Sequence, residues 1–336
     1  MSKPTAVLFC PGRGSYGRES LGTIARTLQP GPVADALAAS DQARRSQDRP
    51  TVSELDQAPR FRPGTHLDGE NAAELIYFAT MASVAQLRER YEILALAGNS
   101  LGWYTALAAS NALDPASGWQ LVSTMAALQK QVGGGQILTT TVGEDWTFDP
   151  GLVAATDHAI QSISSRGHDH FVARSIRLGG HEVLAGTELG IAALLEELPK
   201  VKVGEREFPF RLAGHGPFHT VLCGSTSLQA REMLGELRVR QPECNLIDGF
   251  GSVHSPWSSD PAELFDYTTG AQVVETYDFS AAIRTAMREF QPDVLLCAGP
   301  GQSLRAPVGH VVLREAWRGL RSKQALFDSD VVVTAD

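Results

Sequence analysis

The sequence has few cysteines and no long apolar run. Its 4 cysteines, Cys10, Cys223, Cys244 and Cys297, contain no CxxC pair, which argues against a zinc site or a disulfide framework. No stretch reaches the roughly 18 apolar residues of a membrane span, and the apolar run near the N-terminus, only about five residues long, lacks a signal-peptide layout. We therefore predict buried free thiols, a cytoplasmic location and no membrane binding.

Positive charge is also scarce. Lys and Arg number 29 against 38 Asp and Glu, which gives a net charge of −9. This balance repels phosphate backbones, so we predict no general nucleic-acid binding. The length of 336 residues, with 43% hydrophobic and 20% charged residues, is typical of a folded protein with room for about two domains.

Short apolar runs that end in glycine-rich turns predict the main strands. Residues 6–10 and 93–97 are two such runs, and helical spacing follows at 71–90, 103–111 and 118–132. A different pattern of predicted elements begins near residue 135. Its order is strand, helix, strand, strand, helix, strand, at 137–142, 150–164, 171–176, 182–185, 188–197 and 208–212. This order is typical of a ferredoxin-like unit. A long helix at 218–238, a strand at 244–247, a helix at 279–290 and a strand at 294–297 complete the prediction.

These elements predict an α/β protein in two subdomains. The large subdomain, α/β-hydrolase-like with a parallel sheet core, would comprise residues 1–134 and 213–336. The small, ferredoxin-like subdomain would be an insertion at residues 135–212. The active site would then lie between them.

Gly98-Asn99-Ser100-Leu101-Gly102 satisfies the G-x-S-x-G pattern of a nucleophile elbow, with a predicted strand before it and a helix after it. The alternative interpretation is a serine that only caps the helix. A helix N-terminus favours developing negative charge, and the Leu101 amide can point at an oxyanion. We therefore predict Ser100 as a nucleophile.

A serine nucleophile needs a base, and spacing alone does not choose among the 9 histidines: His66, His158, His168, His170, His181, His215, His219, His254 and His310. His168 and His170 flank Asp169, but no further ligand spacing supports a metal site, so a solvated loop is the preferred interpretation. His219 differs because residues 214–218 form a turn that would place its imidazole at the start of the predicted long helix.

The segment from Gly12 to Gly17 spells G-x-G-x-x-G after a strand, the fingerprint of dinucleotide binding. That interpretation requires a second strand ending in an acidic residue about 20 positions later. Residues 30–49 are instead polar and Ala-rich. We favour a loop that donates a backbone amide to the active site.

Four motifs in register resemble one family across about residues 4–310. Residues 9–15 resemble its FPGQGS opening, 98–102 its GHSLG elbow, 216–220 its histidine turn and 299–301 its C-terminal GPG. The family is that of malonyl-CoA:acyl carrier protein transacylases and the acyltransferase domains of polyketide synthases.

The resemblance implies ping-pong acyl transfer in fatty acid or polyketide-type biosynthesis. Ser100 would attack an acyl-CoA with His219 as base, and the phosphopantetheine thiol of an acyl carrier protein would collect the acyl group. The amides of Leu101 and Arg13 would form the oxyanion hole, and a main-chain carbonyl near Asp248 and Gly249 would orient the histidine. The resemblance implies no metal and no cofactor, and it is compatible with a place in a multienzyme system.

The departures from the family concern the substrate pocket. The arginine that holds the malonyl carboxylate in the family is replaced by Met125, which puts malonyl specificity in doubt. Asn99, Trp103 and Arg13 stand where the family has histidine, glutamate and glutamine. Trp103 and Met125 would favour an uncharged acyl chain, whereas Arg13 either replaces the missing anchor or faces solvent with only its amide in use.

Two other functions remain open at this point: an acyl-thioester hydrolase on the same scaffold, and a non-catalytic homologue that binds carrier protein. An acidic carrier protein would need a local basic surface on this acidic chain. The candidate residues are Arg314, Arg318, Arg321 and Lys323 near the C-terminus and Lys200, Lys202 and Arg206 beside the predicted insertion.

Overall fold

A computed structural model describes residues 3–335 and contains two main β-sheets. The strands are β1 (Thr5–Cys10), β2 (Glu92–Gly98), β3 (Gly135–Thr140), β4 (Val172–Leu178), β5 (His181–Gly186), β6 (Val201–Val203), β7 (Arg206–Phe208), β8 (Phe210–Arg211), β9 (Asn245–Ile247), β10 (Val253–His254), β11 (Tyr277–Asp278), β12 (Val294–Cys297) and β13 (Val332–Thr334). The large sheet has the order β10-β9-β2-β1-β12-β13, and the small sheet has the order β11-β4-β5-β3-β8. Strands β6 and β7 form a separate hairpin.

Helices cover these sheets. They are α1 (Thr23–Thr27), α2 (Pro32–Arg45), α3 (Val52–Asp56), α4 (Pro63–His66), α5 (Gly69–Arg90), α6 (Leu101–Ala109), α7 (Pro115–Gln129), α8 (Pro150–Ser164), α9 (Glu188–Glu197), α10 (Gly224–Met233), α11 (Pro261–Thr269), α12 (Ala271–Val274), α13 (Phe279–Thr285), α14 (Arg305–Arg314) and α15 (Lys323–Phe327). None of the helices within residues 3–335 is both long enough and apolar enough to cross a membrane.

The large sheet is parallel except at its β9–β10 edge. Its central strand β1 is apolar from Ala6 to Cys10 and fully buried, as expected for a strand with both faces covered. Because parallel strands carry loops at the same end, the turns after β1, β2 and β12 meet at one edge of the sheet.

The small sheet confirms the ferredoxin-like prediction. Strands β3, β4, β5 and β8, joined through α8 and α9, take the antiparallel order β4-β5-β3-β8. A separate apolar cluster lies between this sheet and its two helices and includes Ile137, Ile163, Leu184 and Leu194. The later strand β11 adds to the sheet edge in parallel with β4.

Several predicted elements were wrong in extent. The strand at 208–212 is divided at Pro209, which has no N–H to donate, into β7 and β8. The long helix at 218–238 is only α10: Thr220 caps a short 3-10 turn before it, and the chain leaves the helix after Met233 near Gly235. The helix at 279–290 becomes π-helical after Thr285.

Helix α2 occupies the region where a dinucleotide-binding fold would require its second strand. The helix begins at Pro32, a residue suited to the first turn of a helix, and runs to Arg45. The glycine-rich segment after β1 therefore leads into helices instead of a second parallel strand. This topology argues against the dinucleotide-binding interpretation of residues 12–17.

A buried ion pair joins α2 to α5 behind the large sheet. The guanidinium of Arg44 contacts both carboxylate oxygens of Glu74 at 2.9 and 3.2 Å, and both side chains are almost completely buried. Ser40 on α2 and Trp119 on α7 also donate to Glu74, at 2.7 and 2.8 Å. One carboxylate thus connects three helices.

Replacing Glu74 by alanine should lower the free energy of unfolding by about 3–5 kcal/mol, because it leaves the Arg44 guanidinium buried without its counterion. Urea denaturation measures this change. The matched control is Glu197→Ala, which removes the partner of Arg166 in an exposed pair and should cost less than about 1 kcal/mol. Equal losses in the two variants would contradict the assignment of Glu74 as a structural centre.

Candidate active site

Ser100 lies on the sharp turn between β2 and α6. Its backbone has φ 55° and ψ −113°, a conformation that non-glycine residues rarely adopt. A Cβ on Gly98 would lie 2.0 Å from the carbonyl carbon of Gly102, and one on Gly102 would lie 2.1 Å from the carbonyl oxygen of Cys10. The turn therefore requires glycine on both sides of the strained serine.

The Ser100 hydroxyl does not cap α6 and instead contacts a histidine. Its Oγ lies 2.7 Å from Nε2 of His219, a residue 119 positions later in the sequence. His219 also has a positive φ, 56°, and lies in the turn that follows the small subdomain. The structure thus brings together the serine and the histidine singled out from the sequence, and the capping interpretation of Ser100 was wrong.

The other ring nitrogen of His219 fixes the tautomer. Nδ1 lies 2.6 Å from the main-chain oxygen of Gln272, which can only accept a hydrogen bond. The proton is therefore assigned to Nδ1, which leaves Nε2 free to accept the hydrogen bond of the Ser100 hydroxyl. Burial lowers the pKa of His219 to about 4, against an opposing effect of the Gln272 hydrogen bond. The imidazole is neutral at neutral pH and able to take a proton.

The residue that orients His219 was not the one expected. Asp248 contacts Nε2 of His254 at 3.0 Å, and the Gly249 amide donates to the hydroxyl of Tyr267 at 2.7 Å. The prediction of residues 248–249 was therefore wrong, because the short helix α12 brings the carbonyl of Gln272 to the ring instead. No local pattern marks a main-chain carbonyl, since every residue carries one.

Two backbone amides border the serine. Leu101 is the first residue of α6, where an N–H has no acceptor within the helix. The loop after β1 packs against the elbow so closely that a Cβ on Gly12 would lie 2.5 Å from the Asn99 carbonyl oxygen. Arg13, the next residue of that loop, lines two cavities together with Ser100. The residues that carry the two predicted amide donors thus adjoin Ser100, Leu101 along the chain and Arg13 across the shared cavities.

The larger of these cavities, called here the main cavity, has a volume of about 680 Å³. It opens beside Ser100 and Asn99 and is walled by the small sheet and the β6–β7 hairpin. Apolar side chains form much of that wall: Leu138, Ile176, Leu178, Val183, Phe208 and Phe210. A cavity of this size and lining can hold a long, flexible ligand that ends at the serine.

The second cavity, the side pocket, lies behind Ser100 and against α7. Met125 lines it together with Arg13, Leu101 and Tyr104. Its volume is only about 10 Å³, which is room for about one water molecule. The side pocket therefore does not offer the enlarged apolar space expected from the substitutions.

Trp103 lies away from both cavities, so its predicted place in the substrate pocket was wrong. Its indole is fully buried, donates to the hydroxyl of Thr268 at 2.9 Å and meets the ring of Tyr267 edge-on at 5.2 Å. The residue lies three positions after Ser100, and this side of α6 packs against α11. Trp103 therefore packs α6 against α11 and does not face the substrate.

The remaining histidines do not reach the serine. His215 lines the main cavity and contacts Gln136 at 2.9 Å, while His168 and His170 lie in a short 3-10 turn with no buried residue. Within residues 3–335, no three His, Cys, Asp or Glu side chains are placed to share a metal ion.

One residue from each predicted basic patch lines the main cavity: Arg206 from the hairpin and Lys323 from the start of α15. Glu144 links the two regions, since it pairs with Lys323 at 3.6 Å and accepts from the Gly204 amide at 2.5 Å. Arg318 instead donates to main-chain carbonyls of residues 292 and 293. The two patches, separate in the sequence, each contribute one residue to the wall of the same cavity.

The chain thus combines a two-subdomain α/β fold with a hydrogen-bonded pair of serine and histidine. Among solved structures, an acyl-carrier-protein S-malonyltransferase from Burkholderia pseudomallei 1710b is 22% identical with a TM-score of 0.72, over 98% of this chain and 95% of that one. A malonyl-CoA:acyl carrier protein transacylase from Coxiella burnetii is 15% identical with a TM-score of 0.74, over 99% and 94%.

A third structure shows a malonyl-transacylase bound to the acyl carrier protein of a type II polyketide synthase; it is 17% identical with a TM-score of 0.71, over 92% and 93% of the two chains. No family profile matches the sequence, and no curated protein matches it. These likenesses confirm the predicted resemblance to the transacylases in fold, with a large α/β subdomain and a small ferredoxin-like one.

Proposed function

We propose that this protein is an acyltransferase that moves an acyl group from a thioester to the phosphopantetheine thiol of an acyl carrier protein. The observation that carries the proposal is the chain of contacts from Ser100 Oγ through His219 to the Gln272 carbonyl. A neutral histidine with its free nitrogen on a serine hydroxyl is the arrangement that activates serine for attack on an acyl carbon. The solved transacylases of the same fold support the choice of reaction.

In the first half-reaction, Nε2 of His219 takes the hydroxyl proton while Ser100 Oγ bonds to the thioester carbonyl carbon. The negative oxygen that forms is stabilised by the amides of Arg13 and Leu101. The C–S bond then breaks, and the leaving thiolate of coenzyme A receives the proton from His219. The product is an ester on Ser100.

The second half-reaction reverses these steps with a new thiol. The phosphopantetheine thiol gives its proton to His219 and attacks the ester carbonyl, and the serine oxygen recovers that proton as the C–O bond breaks. The main cavity is lined by Ser100 and by many apolar side chains, which suits the extended pantetheine arm. Arg206 and Lys323 in the same lining supply positive charge for an acidic carrier protein.

In this proposal, the acyl group is not selected by the arginine contact that the resemblance implies. Met125, at the position where the resembling family has its carboxylate-binding arginine, carries no charge and lines the side pocket beside Ser100. Malonyl recognition through that position is therefore not available to this protein.

Intact-protein mass spectrometry after incubation with a panel of acyl-CoAs tests the proposal. We expect the mass of one acyl group on the wild-type chain, its loss when carrier protein bearing phosphopantetheine is added, and no adduct on Ser100→Ala. Loss of the adduct in buffer alone, as fast as with carrier protein, would replace transfer by hydrolysis. Absence of an adduct with every donor would overturn both enzymatic functions and leave a carrier-binding homologue.

A further inference from the structure

Several residues that line the main cavity have buried polar atoms without a hydrogen-bond partner. Among residues 3–335, six buried side-chain polar atoms have no hydrogen-bond partner. Four of them belong to residues that line the main cavity: Arg13 Nε, Ser15 Oγ, Asn99 Oδ1 and His181 Nδ1. Buried polar groups are almost always hydrogen-bonded, so a cluster of unsatisfied ones at a cavity indicates a polar ligand that completes it.

Arg13 is the one cation in this cluster, and it lacks a counterion. One of its terminal nitrogens donates to the Gly214 carbonyl at 2.9 Å, and its guanidinium lies 5.5 Å from the centre of the Phe218 ring. Within the described chain, no carboxylate lies within 4.0 Å of this guanidinium; the nearby Asp68 pairs with Lys130 at 3.4 Å. Burial lowers the pKa of Arg13 to about 10, against the opposing charge of Asp68, so the side chain stays positive at neutral pH.

The position of Arg13 matches a role in binding the acyl group. Arg13 lines both the main cavity and the side pocket, and in each it shares the lining with Ser100. In the side pocket it stands with Met125, the position that carries no charge here. Phe218, over which its guanidinium lies, directly precedes His219 in the sequence. The positive charge of Arg13 therefore lies close to both Ser100 and His219.

We propose that the Arg13 guanidinium binds a carboxylate at the far end of the acyl group, so that the substrate is an acyl thioester with a terminal carboxylate. The free Nε and a terminal nitrogen offer the paired donors that a carboxylate takes in a bidentate contact. The unpartnered Ser15 hydroxyl is a further donor at the same wall. This assignment rests on the proposed acyl transfer.

An uncharged acyl chain fits these observations less well. It would leave the buried Nε of Arg13 without a hydrogen-bond partner, and a buried unpaired donor is unfavourable. The side pocket at Met125, with room for about one water, also offers no space for such a chain. The charged ligand satisfies the cation and needs no enlarged apolar pocket.

The experiment compares malonyl-CoA with acetoacetyl-CoA, which has nearly the same shape but a methyl ketone in place of the carboxylate. The rate of Ser100 acylation is measured for each donor by quenched-flow mass spectrometry. The wild-type chain should prefer malonyl by about 10- to 100-fold, the size expected for a hydrogen bond between charged groups. Arg13→Gln should bring the ratio of the malonyl rate to the acetoacetyl rate to about one. Arg13→Lys keeps the charge but loses the paired N–H donors of the guanidinium, so it should retain part of the preference.

Arg238→Gln, a change of the same kind at an exposed arginine, is the matched control and should keep the wild-type ratio. Thermal unfolding of each variant checks that it folds, and the wild-type ratio and Arg13→Lys test the proposal even where Arg13→Gln does not fold. A wild-type preference for acetoacetyl, or an unchanged ratio in a folded Arg13 variant, would overturn the carboxylate site while acyl transfer stands. Labelling by neither of these donors nor any other would overturn the proposed function itself.

Discussion

Replacing His219 by alanine is expected to slow the acylation of Ser100 by about 10²–10⁴-fold, the usual contribution of a positioned general base. The variant removes the group that lies 2.7 Å from the serine hydroxyl and accepts its proton. Without it, the hydroxyl must lose its proton to water as it attacks. Because the phosphopantetheine thiol also gives its proton to His219 in the second half-reaction, transfer to the carrier thiol should fall as well.

The measurement is the rate of adduct formation on Ser100 under single-turnover conditions. His215→Ala is the matched control, since His215 is a buried histidine of the same cavity that contacts Gln136 and not the serine. The control should change the rate far less than His219→Ala. Similar losses in the two variants would show that the cavity tolerates no truncation there, and the role of His219 as base would lose its support.

The pH dependence of the acylation rate is a second test of the role of His219. A base with a pKa of about 4 is neutral above that value, so protonation removes it only as the pH falls through about 4. The acylation rate should therefore stay nearly level from pH 7.5 down to about pH 5. A histidine with the ordinary pKa of about 6.5 would instead lose about 30-fold in neutral form by pH 5. A decline centred near pH 6.5 would contradict the desolvated environment of His219.

The sequence could predict those parts of the site in which the reactive residue and the residues that set its backbone conformation are neighbours in the chain. Ser100 lies between glycines that the turn itself requires, so the local pattern implies both the strained conformation and the exposed hydroxyl. The turn before the predicted long helix set His219 apart from the other histidines, and its role as base came from the resemblance of residues 216–220 to the histidine turn of the family.

The parts that sequence missed depend on contacts between distant segments. Gln272 acts through its main-chain oxygen, and only the packing of α12 against the histidine turn selects it. Trp103 follows the elbow directly, yet its direction is set by Thr268 and Tyr267 on α11. The convergence of Arg206 and Lys323 likewise needs the hairpin and α15 to meet at Glu144. Side-chain direction and charge clustering are tertiary properties.

Replacing Gly98 by alanine is expected to lower the free energy of unfolding by about 4 kcal/mol or more, in the range of exceptional single substitutions. The added Cβ would lie 2.0 Å from the carbonyl carbon of Gly102 and 2.2 Å from the amide nitrogen of Trp103. All of the atoms it meets are backbone, so no side chain can turn aside. Strand β2, which ends at Gly98, is held by β1 on one side and β9 on the other and cannot shift away.

Urea denaturation with a parallel acylation assay tests this expectation. Gly224→Ala is the matched control: Gly224 has helical backbone angles and nothing within 4 Å of the added Cβ, so alanine there should be neutral or slightly stabilising. If Gly98→Ala folds, the elbow must have opened, and the Ser100 hydroxyl should no longer meet His219, so acylation should fall even in the folded fraction. A variant with wild-type stability and wild-type acylation would mean that the turn relaxes freely. The strained backbone of Ser100 would then not be what holds the hydroxyl on the histidine.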